Sequence, residues 1–83
     1  MLTGEQIRAG RALLDWTGAQ LSEVSGVSLQ TIRRMEGSVG TGRSSAANIG
    51  SIRRALEDAG VVFLEADEAN GVGPGVRLKL NSG

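Results

Sequence analysis

The sequence predicts a mainly α fold in which four helices precede a C-terminal β-hairpin. The helices are predicted by Thr-x-x-Gln capping boxes at Thr3 and Thr17 and by serine or glycine residues at the ends of apolar stretches with helical period. The hairpin is predicted because the apolar period changes near the C-terminus. A chain of 83 residues forms one small domain with a thin core, so we expect a dimer.

The first two helices are predicted from their caps. Thr3 caps a helix that runs to about Asp15, and Thr17 caps a second helix that runs to about Val24 or Ser25. Gly26 is placed to end the second helix in the left-handed conformation. The first helix is expected to face the core with an apolar stripe made of Ile7, Ala9 or Gly10, Leu13 and Leu14.

The third helix follows almost at once, since Ser28 can cap it only two residues after Gly26. It is predicted from about Leu29 to Met35 or Glu36, with Ile32 and Met35 facing inward. The polar side chains left for its other faces are those of Gln30, Arg33 and Arg34. Two short capped helices joined this tightly must cross steeply, as they do in a helix-turn-helix.

A loop and a fourth helix complete the helical part. Residues 37–45 contain three glycines and three serines, a composition typical of loops. The fourth helix is predicted from about Ala46 to Ala59, with Gly60 as its cap. The residues expected to face the core are Ile49, Ile52, Leu56 and Ala59.

The tail has the pattern of two strands. Residues 61–64 are β-branched, aromatic or aliphatic, whereas residues 76–80 alternate apolar and basic side chains. Turn signals lie between them at Asn70-Gly71 and at Gly73-Pro74-Gly75. We therefore divide one compact domain into a helical core, residues 1–60, and a hairpin, residues 61–83. The hairpin offers more apolar surface than one small domain needs, so we predict that it joins two copies through Val62, Leu64, Val76, Leu78 and Leu80.

Composition restricts the chemistry. The chain has no cysteine and no histidine, which excludes disulfides, thiolate or imidazole metal ligands and imidazole bases. The carboxylates have no paired spacing, and no nucleophile has a base beside it. We therefore expect no catalytic residues, no metal and no cofactor. No apolar run approaches the ~20 residues of a membrane span and no secretory signal is visible, so we expect a cytoplasmic protein.

The net charge is zero, from nine basic and nine acidic residues, but the two signs are separated along the chain. Between Gly26 and Leu56, five arginines accompany one acid, Glu36. The acids of the last third are Glu57, Asp58, Glu65, Asp67 and Glu68. A basic middle is what a phosphate backbone would attract, although a solvated surface explains the charges equally well.

Residues 5–60 resemble the phage-repressor and Cro-like helix-turn-helix family of bacterial transcriptional regulators, often called the Xre type. The matching positions are Arg11, Leu14-Asp15-Trp16-Thr17, Leu21, Gly26-Val27-Ser28, Thr31-Ile32, Arg34-Met35-Glu36-Gly37, and Ile52 to Leu56 with Gly60. The order and spacing of these residues are more specific than any single glycine motif.

The resemblance implies a sequence-specific repressor that binds double-stranded DNA as a homodimer, with the third helix in the major groove. By position, base contacts would come from Leu29, Gln30 and Arg34. Backbone or auxiliary contacts would come from Thr17, Ser28, Thr31, Arg33 and Arg43. Arg11 and Glu36 occupy the positions of a largely buried ion pair. Trp16 and Phe63 are expected in the core rather than on a base-stacking surface.

One departure from the family pattern supports a second hypothesis. The first residue of the second helix is commonly a glutamine that binds a DNA phosphate in this family, and here it is Gly18. Together with the zero net charge, this favours a protein-interaction module, such as an antitoxin or antiactivator, on a helix-turn-helix scaffold. The arginines of the third helix oppose that alternative, because a surface that does not bind DNA has no need for exposed arginines there.

Overall fold

A computed structural model describes residues 1–80 of the chain. It contains four helices, α1 (Gly4–Leu13), α2 (Gly18–Ser25), α3 (Leu29–Glu36) and α4 (Ala46–Asp58). Two antiparallel strands follow, β1 (Val61–Leu64) and β2 (Gly75–Leu78), with a short 3-10 helix, Glu68–Asn70, in their connection. The predicted mainly α fold with a C-terminal hairpin is confirmed. Residues 81–83 of the predicted hairpin segment lie outside the described residues.

Short-range hydrogen bonds fix where the helices begin. In the first capping box, the Gln6 amide donates to Thr3 Oγ1 at 3.1 Å and the Thr3 amide donates to Gln6 Oε1 at 2.9 Å. Thr17 and Gln20 form the same pair of bonds at the start of α2. Single serine caps, Ser28 and Ser45, begin α3 and α4. All four starts were predicted, because each cap satisfies a backbone amide only three residues away.

The ends of α1 and α4 differ from the prediction. α1 ends at Leu13, and Asp15 takes a left-handed conformation with φ of 57° that turns the chain toward α2. Leu13, the last residue of α1, is 43% exposed, so its predicted inward position is wrong, whereas Leu14 packs against the core. α4 ends at Asp58, and Ala59 is exposed rather than core-facing. In both cases the chain leaves the helix direction before the last expected core residue.

The core is assembled from all four helices and β1. Its largest fully buried side chains are those of Ile7, Leu21, Ile32, Met35, Ile52, Leu56 and Val61. Trp16 and Phe63 are partly buried and pack against this cluster, as predicted for both aromatic residues. The inward positions predicted for α3, Ile32 and Met35, are confirmed.

The hairpin lies against the helices with one of its two faces. Val61 pairs with Leu78 and Phe63 pairs with Val76, so these four side chains project to the same side. Val61, Phe63 and Val76 on that side pack on the core. β2 ends at Leu78 rather than at Leu80. The Lys79 amide still donates to the Gly60 carbonyl at 2.8 Å, but the Leu80 side chain is 95% exposed.

The Gln6 side chain connects α1 to the end of the hairpin at which β1 ends and β2 begins. Its Nε2 donates to the carbonyl oxygens of Leu64, at 3.2 Å, and Gly75, at 3.0 Å. The sequence predicted only its capping role, because the second role depends on residues 58 and 69 positions away. The hairpin therefore packs on α1 and α4.

No helix among residues 1–80 is long and apolar enough to cross a membrane.

Candidate nucleic-acid interface

The turn between α2 and α3 is held by its own polar groups. Gly26 has φ of 76°, a left-handed conformation that favours glycine, and its amide donates to the Ser22 carbonyl at 2.9 Å. Ser22 Oγ donates to the Val27 carbonyl at 2.6 Å, and the Val27 amide donates to Ser25 Oγ at 3.1 Å. The buried Val27 side chain fixes the turn to the core. The orientation of α3 relative to α2 is thus defined before any partner binds.

The outward side of α3 is polar and basic. We call Gln30, Arg33 and Arg34 the outer face of α3; all three side chains are exposed. Within residues 1–80 none of the three side chains makes an ion pair or a hydrogen bond to another protein group. Their donors, and the Gln30 carbonyl oxygen, are therefore available to a partner. Arginine and glutamine can each form the bidentate hydrogen bonds that distinguish guanine and adenine in the major groove.

The hydroxyls predicted as auxiliary contacts are partly engaged already. Ser28 Oγ accepts from the Thr31 amide at 3.2 Å and donates to Thr31 Oγ1 at 2.8 Å, so its proton is committed to that bond. Thr31 Oγ1 keeps its own proton for another acceptor. Thr17 Oγ1 accepts from Gln20, and its proton is likewise available.

Leu29 and Arg43 have different surroundings. Leu29 is half-buried, with its Cδ1 beside Gly18 at the start of α2. Arg43 is exposed in the loop between α3 and α4 and forms no ion pair within residues 1–80.

Glu36 does not face outward beside these arginines. Its Oε1 and Oε2 accept bonds from Arg11 Nη2, at 2.8 Å, and Arg11 Nε, at 3.0 Å, and this is the ion pair that the resemblance implies. The hydrogen bond to Glu36 raises the pKa of Arg11, and the opposing effect of burial is smaller, so the guanidinium stays charged. Because the acid of α3 is paired inward, it does not neutralise the outer face of α3.

Two further contacts hold the same end of α3, and sequence reasoning missed both. Arg8 Nη1 donates to the Glu36 carbonyl oxygen at 2.9 Å. The last carbonyl oxygens of a helix have no amide partner within the helix, so Arg8 supplies the missing donor. A methyl group on Gly4, the first residue of α1, would overlap the Met35 carbonyl oxygen. We call Gly4, Arg8, Arg11 and Glu36 the α1–α3 clasp. In the sequence only its Arg11–Glu36 pair was expected, as an implication of the family resemblance.

Part of the basic middle of the chain is occupied by scaffold contacts. The Arg53 guanidinium lies 5.3 Å from the centroid of the Phe63 ring and pairs with Glu57 at 3.2 Å. Arg54 reaches Ser51 at 3.5 Å. Of the five arginines between Gly26 and Leu56, three make no such contact with residues 1–80: Arg33 and Arg34 in α3 and Arg43 in the loop after it.

The residues predicted for a dimer interface are divided between two sides of the hairpin. Val76 is partly buried and packs on the protein's own core, so little of its side chain is open to a partner. Val62 and Leu64 project from the opposite side and are half-buried. Leu78 is 40% exposed and Leu80 almost wholly so. The register placed Val76 inward because it pairs with Phe63.

Comparison of the chain with protein-family models and with characterised proteins gave no match. Among residues 1–80, no three side chains of the His, Cys, Asp or Glu type are grouped so as to hold a metal ion.

Proposed function

We propose that this protein is a sequence-specific DNA-binding transcriptional regulator, and that it acts as a repressor by occupying its operator. α3 enters the major groove and α2 lies across its edge. The observation that carries the proposal is the outer face of α3, where Gln30, Arg33 and Arg34 are exposed and unengaged while the acid of the same helix is paired with Arg11.

The residues divide by chemistry. Gln30 pairs with adenine N6 and N7, Arg34 with guanine O6 and N7, and Leu29 covers a thymine methyl group. Arg33 and Arg43 bind phosphates, and the available hydroxyl protons of Thr17 and Thr31 assist them. The contribution of each good bidentate pair to discrimination is about 1 to 3 kcal/mol.

A homodimer follows from the same proposal. Two copies joined through their hairpins would place two α3 helices about 34 Å apart, which matches one turn of DNA. The apolar side chains available for this contact are Val62, Leu64, Leu78 and Leu80.

The test is a fluorescence anisotropy titration against DNA from upstream of the protein's own gene, at two salt concentrations. Gln30→Ala and Arg34→Ala should each weaken specific binding about 10-fold to 100-fold. The matched control is Arg54→Ala, which removes the same charge from α4 and should leave selectivity unchanged. Arg43→Ala should instead lower the salt slope by about 0.9 and weaken all sequences alike.

If the protein bound no DNA even at low salt, the proposal that it is a DNA-binding regulator would be wrong. The protein-interaction module would then be the better description, since the helix-turn-helix shape would remain without a nucleic-acid partner.

Dimerisation has its own test in sedimentation velocity. Leu78→Glu should give a folded monomer, because Leu78 is already 40% exposed and a charge there is tolerated by the protomer but not by an apolar interface. A dimer unchanged by this substitution would rule out the hairpin as the interface. Val72→Glu, at an exposed position in the connection between the strands, is the matched control and should leave the dimer intact.

A further inference from the structure

The first residues of α2 and α3 lie in contact, and the contact depends on the absence of a side chain. A methyl group built on Gly18 would lie 3.0 Å from Leu29 Cδ1, closer than two carbon atoms pack comfortably. In the part of the chain that the structure describes, that methyl group would approach no other side chain within 4 Å. A side chain at residue 18 would therefore require Leu29 to shift by a few tenths of an ångström.

This contact restricts Leu29. A leucine at the start of an exposed helix would ordinarily sample several rotamers, because little surrounds it. Here Leu29 is half-buried, with its Cδ1 beside Gly18, so it has fewer open directions than a fully exposed leucine. A larger residue at position 18 must move Leu29, because its flexible end is the group that gives way.

We infer that Gly18 is a specificity-determining residue that acts through Leu29. By leaving room for Leu29 in the conformation described here, Gly18 allows a preorganised apolar surface between α2 and α3, and that surface contacts the 5-methyl group of one thymine. This inference rests on the proposed function, because it assumes that the start of α3 faces base edges. Gly18 makes no base contact itself and is a positioning residue.

The contact between Leu29 and thymine should add to the affinity because Leu29 is ordered before DNA binds. An apolar side chain that is already ordered loses less rotamer entropy when it meets a base. Thymine and uracil differ only in the 5-methyl group, so replacing one thymine by deoxyuridine removes the surface that Leu29 would cover while all hydrogen-bonding groups remain.

The experiment measures the thymine-to-deoxyuridine affinity ratio at each thymine of an operator that the wild-type protein selects from random DNA. At one position the wild type should prefer thymine about fivefold to tenfold. Gly18→Val and Leu29→Ala should each reduce that ratio to near one. The double variant should show no further loss, because residue 18 acts only through Leu29. Ala19→Val adds the same bulk to the next, exposed residue of α2 and should keep the preference.

A second measurement needs no DNA. In the free protein, an NMR Overhauser contact should join the Leu29 methyl groups to the Gly18 α-protons, and Gly18→Val should change the methyl carbon shifts that report the Leu29 rotamer. Ala19→Val should leave those shifts unchanged.

The outcomes separate the two proposals. Selective binding with a thymine preference that Gly18→Val does not alter would overturn the inference and leave the regulator standing. Absence of the Overhauser contact would overturn it as well. Failure of the wild-type protein to bind any DNA would defeat the proposed function, and the inference with it.

Discussion

The outer face of α3 and the α1–α3 clasp meet on one eight-residue helix, since Glu36 of the clasp is the last residue of α3, yet their polar groups are arranged in opposite ways. On the outer face, the side chains of Gln30, Arg33 and Arg34 are exposed and form no hydrogen bond or ion pair with residues 1–80. At the clasp, the carboxylate and the carbonyl of Glu36 both accept bonds from arginines of α1. Groups that hold the fold and groups that are free to bind are therefore separate, so each set can be changed without the other.

The largest expected effect comes from Gly4→Ala, at the clasp. Alanine is the better helix former, but its methyl group would overlap the Met35 carbonyl and force α1 away from α3. We expect the free energy of unfolding to fall by about 3 kcal/mol, measured by urea denaturation. Gly42→Ala, where an added methyl group meets nothing within 4 Å, should change it by less than about 0.5 kcal/mol. Equal stabilities for the two variants would contradict the close approach of α1 and α3.

A smaller loss is expected from Glu36→Gln. The substitution keeps the shape of the side chain but removes the charge that two Arg11 donors contact, and it leaves a guanidinium that is only 22% exposed. The expected loss is about 2 kcal/mol in the same assay. Glu57→Gln serves as the matched control, because its pair with Arg53 is exposed and should contribute less than about 0.5 kcal/mol. If Glu57→Gln lowered the free energy of unfolding as much as Glu36→Gln, the Arg11–Glu36 pair would contribute no more than an exposed ion pair.

The smallest effect on folding is expected on the outer face. Gln30→Ala and Arg34→Ala should each change the free energy of unfolding by less than about 0.5 kcal/mol, because neither side chain has a protein partner among residues 1–80. The same variants are the ones expected to lose specific DNA binding. A loss of stability comparable to that of Glu36→Gln would show that the two regions are not separate, and thermal unfolding followed by circular dichroism measures it.

Much of the fold was predictable from local signals. The four helix starts, the glycine turn at Gly26 and the inward face of α3 follow from bonds and periods that span a few residues. The members of the outer face of α3 were predicted for the same reason, because once Ile32 and Met35 face the core, helical geometry leaves Gln30, Arg33 and Arg34 on other faces.

The errors all concern positions that depend on distant elements. Leu13 matches the apolar stripe of α1, but its side chain is 43% exposed because no other element within residues 1–80 packs over it. Val76 and Leu80 have the same alternating pattern, yet only Val76 reaches the core, because pairing stops at Leu78.

The sequence by itself determined where the helices begin, how α2 turns into α3 and which polar side chains α3 leaves unburied, because capping bonds and helical period act within about one turn. Only the tertiary structure decided which side of the hairpin meets the core and that Gln6 connects α1 to Leu64 and Gly75. It also decided that Gly18 makes room for Leu29. These contacts join residues far apart in the chain or on different helices, and their geometry follows from how whole elements cross, which no local pattern encodes.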